Sequence, residues 1–331
     1  MNTMQRYATI FYTLLIYLKL HIFPHPLTHD YYPYHIPIMD FSNWQVWLSI
    51  GIHVLLIVIG VLWMKNRKKV AFGLFLYFAA MSIVSNLVVS IGTFMNERFA
   101  FAASLGMCII FGYILTTIAK KSGENKQLLL NVLVGTILLL YGIKTMTRVP
   151  VWENALTLNK AAITVSKNSA RANSFMSTAL FNAYKEEKER SRQIRLLDEA
   201  TPYAHKAVQL HPSYYNGHLM KVGIASEKYK MNNDLDQLLA DFRNTIIYRP
   251  DVPFVKTFLE YVNKVGDKNK LLAFYEDVSV NELIDRQQKY DWAIYYLNLA
   301  LQVDSSDPRI RSGLRKAYTA KGQLDRANQY R

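Results

Sequence analysis

The sequence predicts an all-α protein in which polytopic transmembrane helices are followed by an α-solenoid of helical repeats. Two observations suggest this fold. Of the 331 residues, 51% are apolar and only 19% are charged. The charges are uneven, since residues 1–151 contain 12 Lys and Arg and 4 Asp and Glu, whereas residues 152–331 contain 27 and 21. The first part therefore has the composition of a membrane domain and the second that of a water-exposed one, which excludes a simple cytosolic domain and a disordered chain.

The single cysteine and the net charge exclude two further classes of protein. Cys108 has no second cysteine with which to form an internal disulfide, so the chain is not a disulfide scaffold. The net charge of +14 is partly carried by residues that flank apolar runs. No basic stripe is interleaved with aromatic residues, so we expect no nucleic-acid partner.

Five apolar segments are predicted to interact with the lipid bilayer, since a spanning helix needs about 20 mainly apolar residues. The first contains Lys19 and His21, so an interfacial helix is the alternative there. We predict a membrane domain over 1–146, a connector over 147–160 and a repeat domain over 161–331. The predicted spans are 7–23, 44–64, 70–94, 99–119 and 127–146.

The basic residues between the spans predict an orientation. The loop after Met64 reads KNRKK, and the loop after Ala119 contains three lysines. Both are expected on the cytoplasmic side by the positive-inside rule. Five spans then deliver the repeat domain to the periplasmic or luminal side. We expect an integral, multi-pass protein, and the short predicted inner N-terminus favours the bacterial inner membrane.

The second half has small and apolar residues at the spacing of paired helices. Offsets of 4, 3 and 5 residues link Ala200, Ala204, Ala207 and Pro212, as in the second helix of a tetratricopeptide repeat and its closing proline. Each helix pair buries only part of its apolar face, so several pairs must stack. A generic helical bundle is the alternative. The predicted repeat positions are Leu180, Tyr184, Ala200, Ala204, Ala207, Pro212, Ala293, Leu297, Ala300, Leu314, Tyr318, Gly322 and Ala327.

Three sequence blocks resemble a known family. Residues 24–40 read PHPLTHDYYPYHIPIMD, residues 96–106 read NERFAFAASLG, and residues 148–162 read RVPVWENALTLNKAA. In this order they resemble the C-terminal portion of the transmembrane and tetratricopeptide-repeat O-mannosyltransferase-like proteins and their bacterial relatives. The resemblance implies the C-type glycosyltransferase lineage and a polyprenyl-phosphate sugar donor, with no other cofactor.

The resemblance leaves enzymatic activity open. It places the family's catalytic acidic residues in the first outer loop, where a general base deprotonates an acceptor hydroxyl. The first outer loop here resembles a middle loop of the family instead. We therefore expect the N-terminal catalytic part to be absent from residues 1–331. Transfer would then need that part within a longer parent chain or as a separate catalytic subunit.

The first outer loop contains a candidate sugar or acceptor surface, because aromatic faces and carboxylates suit sugars. An aromatic belt at the membrane interface is the alternative. The histidine spacing matches no standard metal site, so no metal is predicted. The candidate residues are His29, Asp30, Tyr31 and Tyr32.

Glu97 and Arg98 lie at the outer start of the fourth span and are the best candidates for binding the donor phosphate, as the resemblance implies. An arginine can hold a phosphate as a paired donor. The alternative is an ion pair between Glu97 and Arg98 that anchors a tight turn. Lys144 and Arg148, at the outer end of the fifth span, suit either phosphate binding or snorkelling to the interface.

Two functions fit these observations. The first is a relative of protein O-glycosyltransferases whose repeats recruit protein acceptors. The second is a non-enzymatic, membrane-tethered scaffold whose repeats bind protein or peptide ligands. An acidic outer loop upstream of Tyr7 would distinguish them, and the sequence contains none.

Overall fold

The computed structural model describes residues 1–31, 35–121 and 123–330, with only the backbone at Glu124. These residues form fifteen α-helices, so the all-α prediction is confirmed. The chain divides into two compact units, Met1–Ala172 and Asn173–Arg331. The finer partition into a membrane domain, a connector and a repeat domain stays a prediction.

Unit 1 contains six α-helices. Consecutive helices contact one another from α1 to α5. Two short 3₁₀ turns, Glu97–Phe99 and Val149–Trp152, precede α4 and α6. The helices are α1 Thr3–Ile22, α2 Trp44–Leu62, α3 Lys68–Val84, α4 Ala100–Lys121, α5 Glu124–Arg148 and α6 Ala155–Val165.

The third helix is shorter than the predicted span over 70–94. It ends at Val84, and Asn86 adopts a left-handed backbone conformation with φ of 63°. The Asn86 side-chain amide donates to the Thr93 carbonyl at 2.8 Å, and its oxygen accepts from Ile91 N–H at 2.9 Å. The side chain thereby stabilises a loop that the apolar composition of this segment does not predict. The prediction was wrong over residues 85–94 because hydropathy does not register backbone handedness.

Helices α3 and α4 approach each other closely at two glycines. A Cβ atom added to Gly73 would lie 2.7 Å from the Gly106 carbonyl oxygen, and one on Gly106 would lie 2.8 Å from the Tyr77 backbone nitrogen. Only residues without a side chain allow this approach. Glycine at both positions therefore defines the packing of α3 on α4.

Three helical segments among the described residues are long and apolar enough to cross a membrane: Trp44–Leu62, Glu97–Lys121 and Asn125–Trp152. The buried share of their most apolar stretches falls from 22% to 11% to 0%. Such exposed apolar surface is expected of helices that face lipid. These segments define a multi-pass membrane protein in contact with the bilayer.

Unit 2 consists of short helices packed in two layers. Helices α9, α11 and α13 contact one another in order, and α10, α12 and α14 form a second row. A π-helical stretch, Asp277–Arg286, extends α12. The helices are α7 Ala170–Glu186, which begins within unit 1, α8 Arg190–Leu210, α9 Tyr215–Asn232, α10 Leu235–Tyr248, α11 Pro253–Val265, α12 Lys268–Glu276, α13 Tyr290–Ala300, α14 Pro308–Ala320 and α15 Leu324–Asn328.

Aspartate side chains begin three of these helices. Asp234, Asp267 and Asp307 each accept a hydrogen bond from a backbone N–H in the first turn of α10, α12 or α14. Such N-caps satisfy amide groups that have no partner inside the helix. The repeating cap and short turn produce the paired helices that the sequence predicts.

Most of the predicted repeat positions lie in the packed interior of unit 2. Ala200, Ala204 and Ala207 are fully buried in α8, as are Ala293, Leu297 and Ala300 in α13. Gly322 has φ of 72° in the turn between α14 and α15, where a side chain would be strained. Pro212 is exposed, but its carbonyl oxygen lies 2.6 Å from His218 Nε2. The packed helical pairs are consistent with a repeat array.

Candidate functional site

The ends of three helices meet at one end of unit 1. The loop after α1 contacts both the start of α4 and the end of α5. Thr28 N–H donates to the Glu97 carboxylate, and the Tyr141 hydroxyl of α5 donates to the Ile22 carbonyl at 2.7 Å. We call this region the loop cluster and define it as residues 25–31, 96–98 and 144–148.

Glu97 is the acidic centre of the loop cluster. Its Oε1 accepts from Thr28 N–H and from the Tyr31 hydroxyl, the latter at 2.8 Å. Burial raises the pKa of Tyr31, and the negative charge of Glu97 raises it further. Tyr31 therefore remains a protonated donor at neutral pH. The carboxylate thus holds the loop after α1 against the start of α4.

Asn96 joins the same two segments through its backbone and side chain. The Asn96 N–H donates to the Tyr17 hydroxyl at 3.0 Å, and that hydroxyl lies 3.1 Å from the Asn96 carbonyl oxygen. The Asn96 amide group donates to the His29 carbonyl at 3.2 Å. The sequence NERF is therefore a structural junction as well as a family-like motif.

Asp30 is buried, with only 3% of the residue exposed. Arg171 donates from Nε to Asp30 Oδ2 at 2.7 Å and from Nη2 to Oδ1, which makes a forked ion pair. Ser166 Oγ donates to the Asp30 carbonyl at 3.1 Å. Asp30 therefore does not belong to an exposed sugar-binding surface, because its carboxylate is already paired.

The other predicted members of that surface are also recessed or lie outside the described residues. Tyr31 is 5% exposed, and His29 is half-buried with its ring edge-on to Trp152. Burial lowers the pKa of His29, although the charge of Asp30 opposes the effect. Tyr32 lies outside the described residues. Within the ranges that the structure covers, no group of three or more His, Cys, Asp and Glu could hold a metal ion.

Arg98 is exposed, and its guanidinium lies 5.4 Å from the centre of the Phe99 ring. It makes no ion pair with a described carboxylate, so the alternative prediction of a Glu97–Arg98 pair is wrong. Glu97 instead bonds to the loop after α1. Arg98 thus presents a cation at the start of an apolar helix.

Lys144 and Arg148 are the residues that the sequence left most ambiguous. Lys144 Nζ lies 3.4 Å from His25 Nδ1, and both Lys144 and Arg148 act electrostatically on Glu97. They face the other two segments of the loop cluster rather than only extending outward from a helix end. Their spacing of four residues was the available signal, since it places both on one face of a helix.

His53 lies in the apolar interior of unit 1 and is 7% exposed. Its Nδ1 is 2.7 Å from the Ser49 carbonyl oxygen, and its Nε2 is 3.4 Å from the Tyr77 hydroxyl. Both ring nitrogens therefore have partners. His53 therefore packs in this interior with both of its polar atoms paired.

Unit 2 has a polar cleft of about 310 Å³ between α8, α9 and α10. Asp241 lies at its base, 3.2 Å from Lys221 Nζ and 3.3 Å from His205 Nε2, and accepts from Gln237 at 3.1 Å. Burial by itself would raise the pKa of Asp241, but the bond from His205 and the charge of Lys221 outweigh it and lower the pKa. The cleft thus contains an ionised network in which each named group has a partner.

The fold and the loop cluster define the chain as a multi-pass membrane protein with a helical, repeat-like region. No protein-family profile matches the sequence. It is 24% identical over 255 residues to the protein O-mannosyl-transferase TMTC3 of Mus musculus, a match that covers 65% of this chain and 27% of the relative. The chain therefore spans about a quarter of the length of this curated relative. The similarity is distant.

Proposed function

We propose that this chain is the membrane-embedded, acceptor-recruiting part of a protein O-glycosylation system that uses a polyprenyl-phosphate sugar donor. The observation that carries the proposal is the similarity to a protein O-mannosyl-transferase over 65% of the chain. Unit 1 is 172 of the 331 residues, so a match of that extent must include residues from both units. The combination of spans and repeats, rather than either alone, supports the assignment.

In this proposal the loop cluster faces the donor lipid. Arg98 is exposed at the start of α4 and supplies a guanidinium for the donor phosphate. Glu97 positions the cluster, since its carboxylate holds Thr28 and Tyr31. The transfer step itself needs a general base that a longer parent chain or a separate subunit supplies. Unit 2 would bind the protein acceptor, because stacked helix pairs offer extended surfaces to peptides.

A complementation experiment tests the transfer function. Cells that lack the chain should lose O-linked sugar from a subset of exported proteins, as measured by glycopeptide mass spectrometry, and the wild-type chain should restore it. Arg98→Ala should not restore it, although its membrane level should equal that of the wild type. Arg67→Ala is the matched control, since Arg67 is an exposed arginine beside an aromatic ring, 5.5 Å from the centre of Trp63. Full restoration by Arg98→Ala would refute the role of Arg98.

The second candidate function is a non-enzymatic scaffold, which is favoured by the polar cleft in unit 2. Under this alternative, loss of the chain leaves protein glycosylation unchanged but removes a protein partner from the membrane fraction. The two functions are therefore distinguished by measuring glycopeptides and membrane-bound proteins in the same cells.

The proposed orientation places unit 2 on the periplasmic or luminal side. A cysteine introduced at Ser305 in a Cys108→Ser chain should react with a membrane-impermeant thiol reagent added from that side. Reaction only after the reagent is given access to the cytoplasmic side would show that unit 2 has the opposite orientation.

A further inference from the structure

Helix α5 ends in two cations on one face. Lys144 and Arg148 are four residues apart, which is about one helical turn. Both side chains are half-buried, and neither forms an ion pair with any carboxylate in the described part of the chain. A half-buried cation without a directly bonded carboxylate has lost part of its hydration and has no hydrogen-bonded counter-charge in its place.

Arg148 gives the more specific indication. Its Nη2 atom is buried, and no described atom accepts a hydrogen bond from it. Buried guanidinium donors are normally satisfied by an acceptor oxygen. An anion with several oxygens at the exposed part of this side chain would supply the missing charge, and a rotation of the guanidinium towards it would give Nη2 an acceptor oxygen.

The surroundings of α5 indicate where such an anion would come from. The apolar stretch that precedes Lys144 and Arg148 is 0% buried, so it presents continuous apolar surface. The polar loop after α1 begins at the same level, since Tyr141 bonds to Ile22 and Lys144 lies beside His25. The two cations therefore mark the boundary between an apolar helix surface and a polar loop. A lipid beside α5 would have its headgroup at this boundary.

The charge of the loop cluster favours an anion. Glu97 is the acidic side chain on which Lys144 and Arg148 act. Its Oε1 is already bonded to Thr28 and Tyr31. The loop cluster contains three cations, Lys144, Arg148 and Arg98, and two carboxylates, Glu97 and Asp30. Asp30 is paired with Arg171, so the net charge is positive.

We propose that Arg148 and Lys144 bind the phosphate group of a membrane lipid whose hydrocarbon chain lies along α5. The planar guanidinium donates two parallel hydrogen bonds to phosphate oxygens, and the lysine ammonium adds a point charge. The site stands on this geometry, and it rests on the proposed function only for the expectation that the lipid is a polyprenyl phosphate.

Binding measured separately from sugar transfer tests this site. The full chain, reconstituted in phosphatidylcholine nanodiscs, is titrated with radiolabelled polyprenyl phosphate, with unphosphorylated polyprenol as the reference lipid. Arg148→Gln and Lys144→Gln should each weaken binding at least about tenfold, because each removes one charged phosphate contact. Arg148→Lys should bind with intermediate affinity, since it keeps the charge and loses the fork. Lys126→Gln is the matched control, an exposed lysine near the opposite end of α5.

The outcomes separate the sources of the phosphate. Competition by phosphatidylglycerol as strong as by polyprenyl phosphate would support a general lipid-phosphate site, and weak competition would support a polyprenyl-specific one. Equal competition by inorganic phosphate would overturn the lipid assignment. If the folded Arg148→Gln and Lys144→Gln chains bind the lipid within about twofold of the wild-type affinity, the proposed phosphate site is refuted. That result would support snorkelling of these side chains to the interface. Such a result with intact glycosylation would leave the proposed function standing, whereas lipid binding without any glycosylation would remove the function and keep the site.

Discussion

Leucine side chains are exposed on helix α5 of unit 1 and buried in helix α13 of unit 2. Leu138, Leu139 and Leu140 of α5 are 66%, 63% and 60% exposed, whereas Leu297 of α13 is fully buried. In water, exposed leucines on this scale would cause association, but lipid is as apolar as leucine. The comparison shows that burial within the chain stabilises unit 2, while the surrounding solvent decides where apolar residues belong in unit 1.

Polar groups show the reverse contrast. Unit 2 has many ion pairs at its surface, such as Lys270–Asp236, where water screens them. Unit 1 keeps polar groups inside, where His53 bonds to Ser49 and Glu97 bonds to Thr28. A polar group that faced lipid would have no hydrogen-bond partner, so the interior of the bundle is where it can be satisfied.

The largest expected effect is the loss of the buried charge network in unit 2. Asp241→Ala removes the carboxylate beside Lys221, which is 7% exposed, and leaves a buried cation without its counter-charge. Such changes cost about 3–5 kcal/mol of folding free energy. Hydrogen exchange of the full chain in detergent should show lost protection in α9 and α10.

Asp198→Ala is the control for that change. It removes the exposed partner of Lys228, so protection in α9 should stay close to that of the wild type. Equal losses of hydrogen-exchange protection in both variants would mean that the buried ion pair stabilises unit 2 no more than the exposed one does.

The next effect separates the two kinds of leucine. Leu297→Ala should destabilise unit 2 by about 2–5 kcal/mol, because it leaves a cavity among Ala293, Leu314 and their neighbours. Leu139→Ala should change the stability of unit 1 much less, since that side chain is 63% exposed. Thermal unfolding of both variants measures the difference, and comparable losses would place a second protein surface on α5.

A smaller effect is expected where α3 and α4 meet. Gly106→Leu would force a side chain against the Tyr77 backbone, and overpacking of this kind costs about 1–3 kcal/mol. Gly112→Leu, on the same helix, meets nothing within 4 Å. Unfolding in mixed micelles with a denaturing detergent should therefore occur earlier only for the Gly106 variant. Identical unfolding transitions for the two variants would show that the close contact of α3 and α4 at Gly106 does not contribute to stability.

The smallest effect is a pH dependence in unit 2. Burial lowers the pKa of His218, whose ring lies against Pro212 and Thr245. Its unfolded pKa is about 6.5, so below that pH the unfolded chain binds a proton that the folded chain excludes. The contribution of His218 to the free energy of unfolding should be complete above pH 7 and should decrease towards pH 5. His218→Gln should flatten this part of the profile, and an unchanged slope would assign it to another group.

The fold was predictable wherever local periodicity determines it. The positions of Ala200, Ala204 and Ala207 follow from helical spacing, and all three are buried as the repeat pattern indicates. The loop cluster was less predictable. Asp30 and Arg171 are 141 residues apart, and no local pattern relates them. Likewise, Glu97 bonds to the loop after α1, which is distant in sequence. The sequence therefore suggested a ligand site at a position where the carboxylate joins two segments of the chain.

The pair between Asp30 and Arg171 also has a consequence for biosynthesis. Because Arg171 follows the first six helices, its partner carboxylate stays unpaired until the ribosome has made more than half of the chain. A contact of such long sequence separation forms late, after nearer contacts have shortened the effective loop. Chains interrupted before Arg171 would therefore keep Asp30 without its guanidinium partner, and the loop after α1 would lack this attachment.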